Sequence, residues 1–479
     1  KEKRWETKLA PGLTYTQIKR GHPDKHDYYT VNIMFTEIKG DAKRIAERLK
    51  TDGYKPKVKR VKDIKQNDIK QKSLGYLVRV GKYEEKMDAE QKAHQLEKDG
   101  FGDSSVVYTG YFNMKTTGPW NIHVIEINPD MFKGSIDSRL ATGIVRGKEK
   151  VSSIADRSGA LAAVNGGYFV VGPDDGTVGD LAGISMVNGN LVSESVGNRT
   201  SLILNPDKEK TARITKIDTK TTIVSSDGAK KTIDGLNRKP GLIRSCGGTG
   251  GDLPSEHPMH DFTCTDSSEL IIFKSVYGSQ TPNGEGVEIV LNENGKVVEL
   301  YKERGTDIPE KGAVLTGTGT AANWLLHHAQ EGEKINVHTK LVTNDGTIEA
   351  GENTSIINGG PQLLKNGQIM INAAEEGFNW NSDFYYHFGR HRYPRTLAGI
   401  KPNGNILLVA AGGGNPEKSI GLSFLESARV MKALGATEAL NLDGGGSTTM
   451  VVDDQLVNDP TDQTGERPVG DAIVLLPEN

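Results

Sequence analysis

The clearest pattern in the chain is a repeat of hydrophobic and polar positions, offset by 47 residues, between about residues 24 and 112. Each half opens with apolar residues at every second position and continues with apolar residues at helical spacing. Gly53 and Gly100 then follow as left-handed C-caps. The matched positions are Tyr29 with Tyr76, Val31 with Val78, Ile33 with Val80, Ala42 with Ala89, Ala46 with Ala93, and Leu49 with Leu96. The repeat predicts two β-α-β units that form a four-stranded, ferredoxin-like sheet with two helices on one face.

From about residue 118 the chain alternates short β-rich runs with tight-turn signals. One helix stands out at about residues 424–434, where Ser423 and Glu426 form a capping box and Gly435 ends the helix. The turn signals are Asn188-Gly189, Asp227-Gly228, Asn294-Gly295, Asn366-Gly367 and Asn403-Gly404. The pattern as a whole predicts an α+β protein: a large β-rich mixed-sheet domain with a ferredoxin-like (βαβ-βαβ) module.

Composition and charge argue against a nucleic-acid-binding protein and against a membrane-spanning protein. The chain holds 59 Lys and Arg against 62 Asp and Glu, a net charge of −3 that does not favour a nucleic-acid partner. The segment 24–112 is nevertheless basic, with 19 Lys and Arg against 15 Asp and Glu. No apolar run approaches the roughly 20 residues that span a bilayer, so we expect no membrane span.

Short motifs in the repeat carry a first family resemblance. Residues 28–31 (YYTV) and 77–81 (LVRVG) resemble the SPOR domain, a bacterial module that binds peptidoglycan glycan strands lacking stem peptides. The resemblance implies that a bare sheet face holds a sugar chain on residues such as Asn32, Met34, Tyr76 or Arg79, although the sequence does not identify the open face. The alternative is a purely structural insert, because the ferredoxin-like fold hosts many functions.

Three strand-like runs end in glycine-rich loops. They are the Asn165 loop (residues 162–169), the Asn358 loop (residues 356–361) and the Asp443 loop (residues 440–449). Consecutive glycines let backbone N–H groups approach an anion closely, and the three loops could converge on one ligand. The Asp443 loop adds a carboxylate and three hydroxyls. Because no lysine of the P-loop kind follows it, nucleotide hydrolysis of that type is not supported.

The same loops carry a second resemblance. Residues 162–169, 357–367, 393–400 and 426–447 resemble, in order and spacing, the phosphodiester glycosidase family. Residues 11–18 resemble the first segment of that family's domain, and the resemblance resumes at residues 120–124. The resemblance therefore implies a catalytic domain that begins at residues 1–23, is interrupted by an inserted SPOR-like module at 24–113, and continues over 114–479.

This second resemblance implies hydrolysis of the bond between C1 of a sugar and a phosphodiester, with no cofactor. Asp443 is the candidate acid, base or nucleophile, and Arg395 suits the phosphate because its planar fork pairs two oxygens. Glu426 is a candidate second carboxylate, although the capping box also explains it. The candidate substrate-binding residues are Asn165, Gly166, Gly167, Tyr168, Asp180, Asn358, Gly359, Gly360, Gly444, Gly445, Ser447 and Thr448.

Two cysteines and two histidines lie close together in the sequence. Cys246 and Cys264 enclose His257 and His260, which are ligand types of a structural zinc site. The spacing lacks a Cys-x2-Cys beginning, and an exported protein with two cysteines more often closes a disulfide. We therefore predict a Cys246–Cys264 disulfide and no metal, with zinc as the alternative.

These features together predict a secreted, cell-wall-associated bacterial hydrolase. Its expected substrate is a glycosyl-phosphate polymer or a small glycosyl phosphodiester, with an N-acetylhexosamine as the sugar. Peptidoglycan glycan strands are the expected partner of the SPOR-like module. One alternative is a different glycosidase that acts on the glycan strands themselves. The other is a catalytically inactive wall-binding or spore-binding protein.

Overall fold

A computed structural model describes residues 1–62, 73–113, 115–197, 199–205, 211–246, 250–255, 263–378 and 381–478. Strands far outnumber helices in these ranges and lie in several sheets, so the predicted β-rich α+β class is confirmed. Among the helices of these ranges, none combines the length and the apolar character that a membrane crossing needs.

The strands of the first half lie, in chain order, at β1 (Glu2–Ala10), β2 (Leu13–Arg20), β3 (Tyr29–Thr36), β4 (Pro56–Val61), β5 (Gly75–Tyr83), β6 (Ser105–Tyr108), β7 (Trp120–Ile127), β8 (Ser135–Leu140), β9 (Ala162–Asn165), β10 (Ser185–Val187), β11 (Asn190–Ser193), β12 (Thr200–Leu204), β13 (Ala212–Val224), β14 (Lys230–Thr232) and β15 (Gly235–Leu236). The strands of the second half lie at β16 (Leu242–Arg244), β17 (Leu253–Pro254), β18 (Thr263–Thr265), β19 (Leu270–Phe273), β20 (Gly284–Leu291), β21 (Val297–Arg304), β22 (Ala313–Gly317), β23 (Asn336–Thr343), β24 (Gly346–Ile348), β25 (Ser355–Asn358), β26 (Gln362–Lys365), β27 (Gln368–Ile369), β28 (Arg395–Ile400), β29 (Ile406–Ala411), β30 (Glu438–Asn441), β31 (Met450–Val452), β32 (Gln455–Leu456) and β33 (Asp471–Leu476).

The α-helices are α1 (Lys39–Thr51), α2 (Lys86–Lys98), α3 (Val151–Ser158), α4 (Gly319–His328), α5 (Ser382–Tyr385) and α6 (Phe424–Ala433). A π-helical turn, Tyr386–Arg390, follows α5 directly. The predicted capping box is confirmed, because Ser423 accepts from the backbone of Glu426 and the Glu426 carboxylate accepts from the backbone of Ser423.

The repeat segment folds as two strand-helix-strand units. Its antiparallel sheet has the order β4-β5-β3-β6, and the predicted glycine caps are present because Gly53 and Gly100 have φ angles of 84° and 85°. The helices cover one sheet face, where Val31, Val78 and Val80 pack against a cluster that includes Ala42, Ala46, Leu49 and Leu96.

The repeat segment leaves and rejoins the rest of the chain at neighbouring positions. Strands β2 and β7 pair antiparallel up to Arg20 opposite Trp120. The backbone N–H of His22 then donates to the carbonyl of Thr117 at 3.1 Å. The segment therefore stands where a hairpin loop between β2 and β7 would otherwise be.

The remainder of the chain packs several sheets around shared cores. One eight-stranded sheet has the order β1-β2-β7-β29-β28-β30-β26-β27, and a five-stranded sheet has the order β32-β31-β9-β33-β8. In a further sheet, β25 lies between β10 and β12. All three sheets contribute to one hydrophobic core, with Leu13, Ile125, Val164, Leu202, Ile357, Leu408, Leu440 and Ile473 among its members.

Tight turns occur where the Asn-Gly pairs predict them. Asn188-Gly189 joins β10 to β11, and Asn366-Gly367 joins β26 to β27. Both asparagines and both glycines have positive φ angles, as a type I′ turn requires.

Candidate active site

Three strands from three different sheets end at the same place, and each ends in an asparagine: β9 in Asn165, β25 in Asn358 and β30 in Asn441. The Asn165 side chain donates to the carbonyl of Asp443 at 2.8 Å. The Asn441 side chain donates to the hydroxyl of Tyr168 at 2.8 Å. The predicted convergence of the three glycine-rich loops is therefore confirmed.

The amides of Asn165 and Asn358 hold these loops together. The Asn358 side chain makes two hydrogen bonds to the backbone of Tyr168. It accepts from the N–H at 2.8 Å and donates to the carbonyl at 3.2 Å. The Oδ1 atom of Asn165 accepts from Thr396 and from the backbone of Thr449. Sequence reasoning did not foresee these positioning roles, and a contact of either amide with a sugar stays a prediction.

Close packing explains the glycines of the Asn165 loop. A Cβ atom on Gly166 would lie 2.3 Å from Oδ1 of Asp471, and one on Gly167 would lie 2.4 Å from Nδ2 of Asn358. The Gly167 N–H donates to the Asp471 carboxylate at 2.9 Å, and the Gly166 N–H donates to the Asp471 carbonyl at 3.0 Å. These two N–H groups are engaged within the protein, which corrects the expectation that they face an anion.

The glycines of the Asn358 loop are likewise engaged in packing. A Cβ on Gly359 would lie 2.7 Å from the Leu440 side chain. The Gly360 N–H donates to the carbonyl of Asn441 at 2.8 Å, and the Gly360 carbonyl accepts from Tyr168. These glycines therefore bring β25 and β30 together, and the Gly360 N–H is not available to a substrate anion.

The Asn165 and Asp443 loops form one wall of a cleft with a volume of about 380 Å³. Its described lining residues are Tyr168, Phe169, Val171, Arg244, Phe384, His387, Phe388, Tyr393, Arg395, Asp443, Gly444, Gly445, Gly446 and Arg467. Five of the predicted site residues are among them: Tyr168, Arg395, Asp443, Gly444 and Gly445. The arginines Arg244 and Arg467 were not foreseen, because no motif surrounds them in the sequence.

Asp443 is the one carboxylate among the described lining residues. Its Oδ1 accepts from the backbone N–H of Gly444 at 2.9 Å, and the hydroxyl of Ser447 also bonds to the carboxylate. Burial raises the pKa of Asp443 to about 6, against the opposing effects of Ser447 and the positive charge of Arg467. Near neutral pH this group can therefore hold or release a proton, as acid-base catalysis requires.

Ser447 and Thr448 lie behind Asp443 instead of in the cleft. Both are almost completely buried. The Ser447 hydroxyl lies 3.5 Å from Arg467 and bonds to Asp443, so it orients the two charged groups. This position replaces the substrate-binding role that the sequence predicted for Ser447.

Arg395 is a buried guanidinium that faces the cleft. Its Nε donates to the carbonyl of Leu422 at 3.0 Å, and its Nη2 donates to the carbonyls of Phe388 and His391. The Phe424 ring lies 4.6 Å from its guanidinium carbon. Burial lowers the pKa of Arg395 to about 10, so it stays charged at neutral pH. Within the described ranges no carboxylate forms an ion pair with Arg395, and an anionic ligand would supply the missing counter-charge.

Two further arginines add positive charge to the cleft. Arg467 donates from Nε to Asp462 at 2.6 Å, and Arg244 lies 3.6 Å from a carboxylate oxygen of Asp175. With Arg395, three guanidinium groups line the same cleft as the carboxylate of Asp443. Since Asp462 and Asp175 lie beside Arg467 and Arg244, the positive charge of Arg395 is the one that most favours an anionic substrate.

Glu426 does not line the cleft. One of its oxygens accepts from the backbone and hydroxyl of Ser423, and the other accepts from Arg392 at 2.7 Å. The structure gives Glu426 the capping role and an ion pair, instead of the role of second catalytic carboxylate.

Asp180 also lies away from the cleft. It is buried in a smaller cavity of about 10 Å³, where Glu194 and Arg238 are neighbours. Burial and the charge of Glu194 raise the pKa of Asp180 well above its ordinary value. A cavity of this size holds at most a water molecule, so the predicted contact of Asp180 with a sugar is not compatible with this arrangement.

Asp471, at the start of β33, is a second carboxylate near the site that the sequence analysis missed. It is buried, and its Oδ2 has no hydrogen-bond partner in the described part of the chain. Burial, with a smaller contribution from the charge of Asp443, raises its pKa to about 7. Its only sequence signal is an acidic residue at the start of an otherwise apolar strand.

We expect Asp471→Asn to stabilise the protein at alkaline pH. Because the folded-state pKa is raised, ionisation of Asp471 favours the unfolded chain, and stability is lost as the pH rises from about 4 towards about 7. The variant keeps an oxygen that accepts from Gly167 and has no charge. The free energy of unfolding should exceed that of the wild type by on the order of 2 kcal/mol at pH 8. Denaturant titrations at pH 4.5 and pH 8 measure this, and an equal difference at both pH values would contradict the expectation.

The predicted disulfide between Cys246 and Cys264 is confirmed. It joins the end of β16 to β18, which pairs with β16 through Ile243 opposite Cys264. The disulfide therefore lies two residues from Arg244 and fixes the hairpin that carries this cleft residue. His257 and His260, the other ligands of the alternative zinc site, lie outside the described residues.

Asp252, Asp266 and Glu269 bring carboxylate oxygens within 4.8 Å of one another, as a cation site requires. Both oxygens of Glu269 already accept from Arg238, and one also accepts from the backbone of Gly241. Among the described residues this group therefore has a structural explanation without a metal.

Comparisons with known proteins fit this site. Residues 285–476 match the phosphodiester glycosidase family model, and residues 25–108 match the SPOR domain model. The mouse N-acetylglucosamine-1-phosphodiester alpha-N-acetylglucosaminidase is 31% identical over 110 residues, which are 22% of this chain. The match spans only 21% of the mouse protein.

Two solved structures resemble the whole chain. A Burkholderia pseudomallei K96243 protein, named provisionally as an exported protein, is 32% identical, with a TM-score of 0.90 over 100% of this chain and 96% of that chain. A hypothetical protein from Synechocystis has a TM-score of 0.58 at 19% identity, over 99% of this chain and 76% of that chain, and it shows the fold alone. The chain therefore carries a phosphodiester glycosidase domain, matched at residues 285–476, and a SPOR domain at residues 25–108.

Proposed function

We propose that the protein is a hydrolase that removes a sugar, an N-acetylhexosamine, from a glycosyl-1-phosphodiester in a bacterial cell-wall or envelope polymer. The observation that carries this proposal is the cleft that is lined by three arginines together with Asp443. A neutral glycan would not need this charge, whereas a phosphodiester would balance it. The family match at residues 285–476 supports the same chemistry.

In the proposed reaction, the bond between C1 of the sugar and the phosphate oxygen breaks. Phosphate is already a good leaving group, so the main demand is for stabilisation of the charge that develops on it. Arg395 meets this demand, with Arg244 and Arg467 as further cations. Ionised Asp443 acts at the anomeric carbon, either as the nucleophile or as the base that activates water.

Aromatic side chains complete the proposed sugar site. Phe169, Phe384, Phe388 and Tyr393 line the cleft opposite or beside the charged groups. Sites for small ligands combine such apolar walls with a few polar groups that fix the orientation of the ligand. The rings would hold the apolar faces of the sugar while the arginines hold the phosphate.

We further infer that residues 24–113 are a ferredoxin-like module inserted into a catalytic domain made of residues 1–23 and 114–479. The sheet order β4-β5-β3-β6 and the adjoining ends at His22 and Thr117 support this division. As a SPOR domain, the module would bring the enzyme to peptidoglycan glycan strands. The disulfide and the similarity to a protein named as exported support a secreted, wall-associated location.

The test is a panel of substrates offered to the purified protein. We expect α-N-acetylhexosamine 1-phosphodiesters to be hydrolysed at least about 100-fold faster than aryl α-N-acetylhexosaminides of the same sugar, because only the former engage the arginines. Faster release of sugar from glycan strands lacking stem peptides would instead indicate a wall glycosidase. Binding to sacculi without turnover of any substrate would indicate an inactive wall-binding protein.

A further inference from the structure

The sheet of the 24–113 module has one face covered by its helices, and the central strands of its other face pack against the rest of the protein. Val61, Leu74 and Leu77 of the module share a hydrophobic cluster with Tyr385 and Tyr386. These two tyrosines belong to residues 381–393, which we call the docked segment. The centre of the sheet face that lies away from the helices is therefore occupied within the same molecule, whereas Lys57 and Lys59 on the edge strand β4 stay exposed.

An aromatic stack joins the module to the docked segment. The ring of Tyr386 lies between Phe35, at 5.2 Å and 14°, and Phe112, at 4.9 Å and 18°. Arg79 lies over the Phe112 ring and contacts the Tyr386 hydroxyl from Nη2 at 3.4 Å. Tyr386 is consequently only 3% exposed. Stacked rings in such an arrangement contribute beyond the area they bury.

Polar contacts fix both ends of the docked segment to the module. The backbone N–H of Ser382 donates to the carboxylate of Glu37 at 3.3 Å. At the other end, the backbone N–H of Arg392 donates to the carbonyl of Tyr111 at 3.0 Å, and its side chain donates to the carbonyl of Gly110 at 2.6 Å. The segment is thus held at its start, its middle and its end.

The opposite side of the same segment forms the cleft. Phe384, His387, Phe388 and Tyr393 line it. The carbonyls of Phe388 and His391 hold the guanidinium of Arg395. A single helical turn followed by a π-helical turn is too short to be stable in isolation, so its conformation depends on what packs against it.

We propose that Arg79 and Phe112 are positioning residues of the active site, which hold the docked segment where it forms the cleft and orients Arg395. The proposal rests on the proposed function in that it assigns these residues to the same cleft. It also predicts that a glycan strand cannot occupy this sheet face unless the docked segment moves away from it.

The test compares Phe112→Ala and Arg79→Ala with Phe101→Ala in the full chain. Phe101 is a buried aromatic residue of the same module, but it packs on the helix side of the sheet. Hydrogen–deuterium exchange should be at least about tenfold faster in residues 381–393 of the first two variants than in the wild type. In Phe101→Ala, exchange should increase within the module and stay unchanged in residues 381–393.

Kinetics with a phosphodiester substrate provide the second readout. Phe112→Ala should lower kcat/KM by about tenfold or more, because a displaced segment misplaces Arg395, and Phe101→Ala should retain the wild-type value. Tyr386→Phe keeps both ring contacts and loses the hydroxyl. Its kcat/KM should therefore lie between that of the wild type and that of Tyr386→Ala. Unchanged exchange in residues 381–393 of Phe112→Ala would overturn the proposal, whether or not the wild type hydrolyses phosphodiesters. Equal kcat/KM losses in Phe101→Ala and Phe112→Ala would also overturn it.

Discussion

Asp443→Asn is expected to lower kcat by about 1,000-fold or more while the protein stays folded. The asparagine oxygen can still accept from Gly444, so the loop keeps its main hydrogen bond. What the variant loses is the charge that the proposed mechanism needs at the anomeric carbon. Steady-state kinetics on a glycosyl phosphodiester and a thermal melt of the same sample measure the two parts of this expectation.

The pH profile of the wild type tests the same role. Because burial raises the pKa of Asp443 to about 6, a carboxylate that must be ionised gives a kcat/KM that falls as the pH drops below about 6. Asp454→Asn is the matched control, because Asp454 is an exposed aspartate in the turn after β31. A variant at position 443 that keeps more than about a tenth of the wild-type kcat would remove Asp443 from the chemical step.

Arg395→Lys is expected to lower kcat/KM on phosphodiesters by about 100-fold. Two nitrogens of Arg395 bond to carbonyls of Leu422 and Phe388, which leaves Nη1 for the substrate. A lysine has one nitrogen, which cannot satisfy the buried carbonyls and a phosphate oxygen in the same planar geometry. The loss should therefore affect the step in which charge develops on the phosphate.

A phosphate-free aryl glycoside is the control for Arg395→Lys. If Arg395 serves the phosphate, the slow hydrolysis of this substrate should be equal in the wild type and the variant. A melting temperature measured alongside separates loss of the phosphate contact from loss of packing, since Arg395 is among the largest fully buried side chains. Equal losses on both substrates would show that Arg395 acts through the fold and not through the phosphate.

Local patterns predicted the local structure well. The repeat predicted the positions of β3, α1, β5 and α2, and the Asn-Gly pairs predicted the positions of turns. Both predictions succeeded because strand alternation, helix caps and tight turns depend on residues that are neighbours in the sequence. The glycine-rich loops were correctly identified as a meeting point. Gly166 and Gly167 let Asp471 and Asn358 pack closely against the backbone, and a single sequence does not distinguish that use from ligand contact.

The parts that escaped prediction depend on tertiary arrangement. Arg244 reaches the cleft from a disulfide-linked hairpin, and Arg467 and Asp471 come from the end of the chain, where no motif marks them. Glu426 fits both a capping box and a catalytic carboxylate by sequence, and only its ion pair with Arg392 decides between them. The covered face of the module is a contact between distant segments, which no periodicity reveals.

The pairing of β2 with β7 has a consequence for how the chain folds. During synthesis, β1 and β2 emerge before the module, but β7, the second partner of β2, follows only after the whole module. Closing so long a loop is entropically costly while the module is unfolded, and becomes a local event once the folded module brings His22 next to Thr117. A chain whose module folds slowly therefore exposes the unpaired edge of β2 to other chains. The charged residues of β1, such as Lys3, Arg4 and Glu6, limit association at the other, outer edge of this hairpin and do not shield the edge of β2 that pairs with β7.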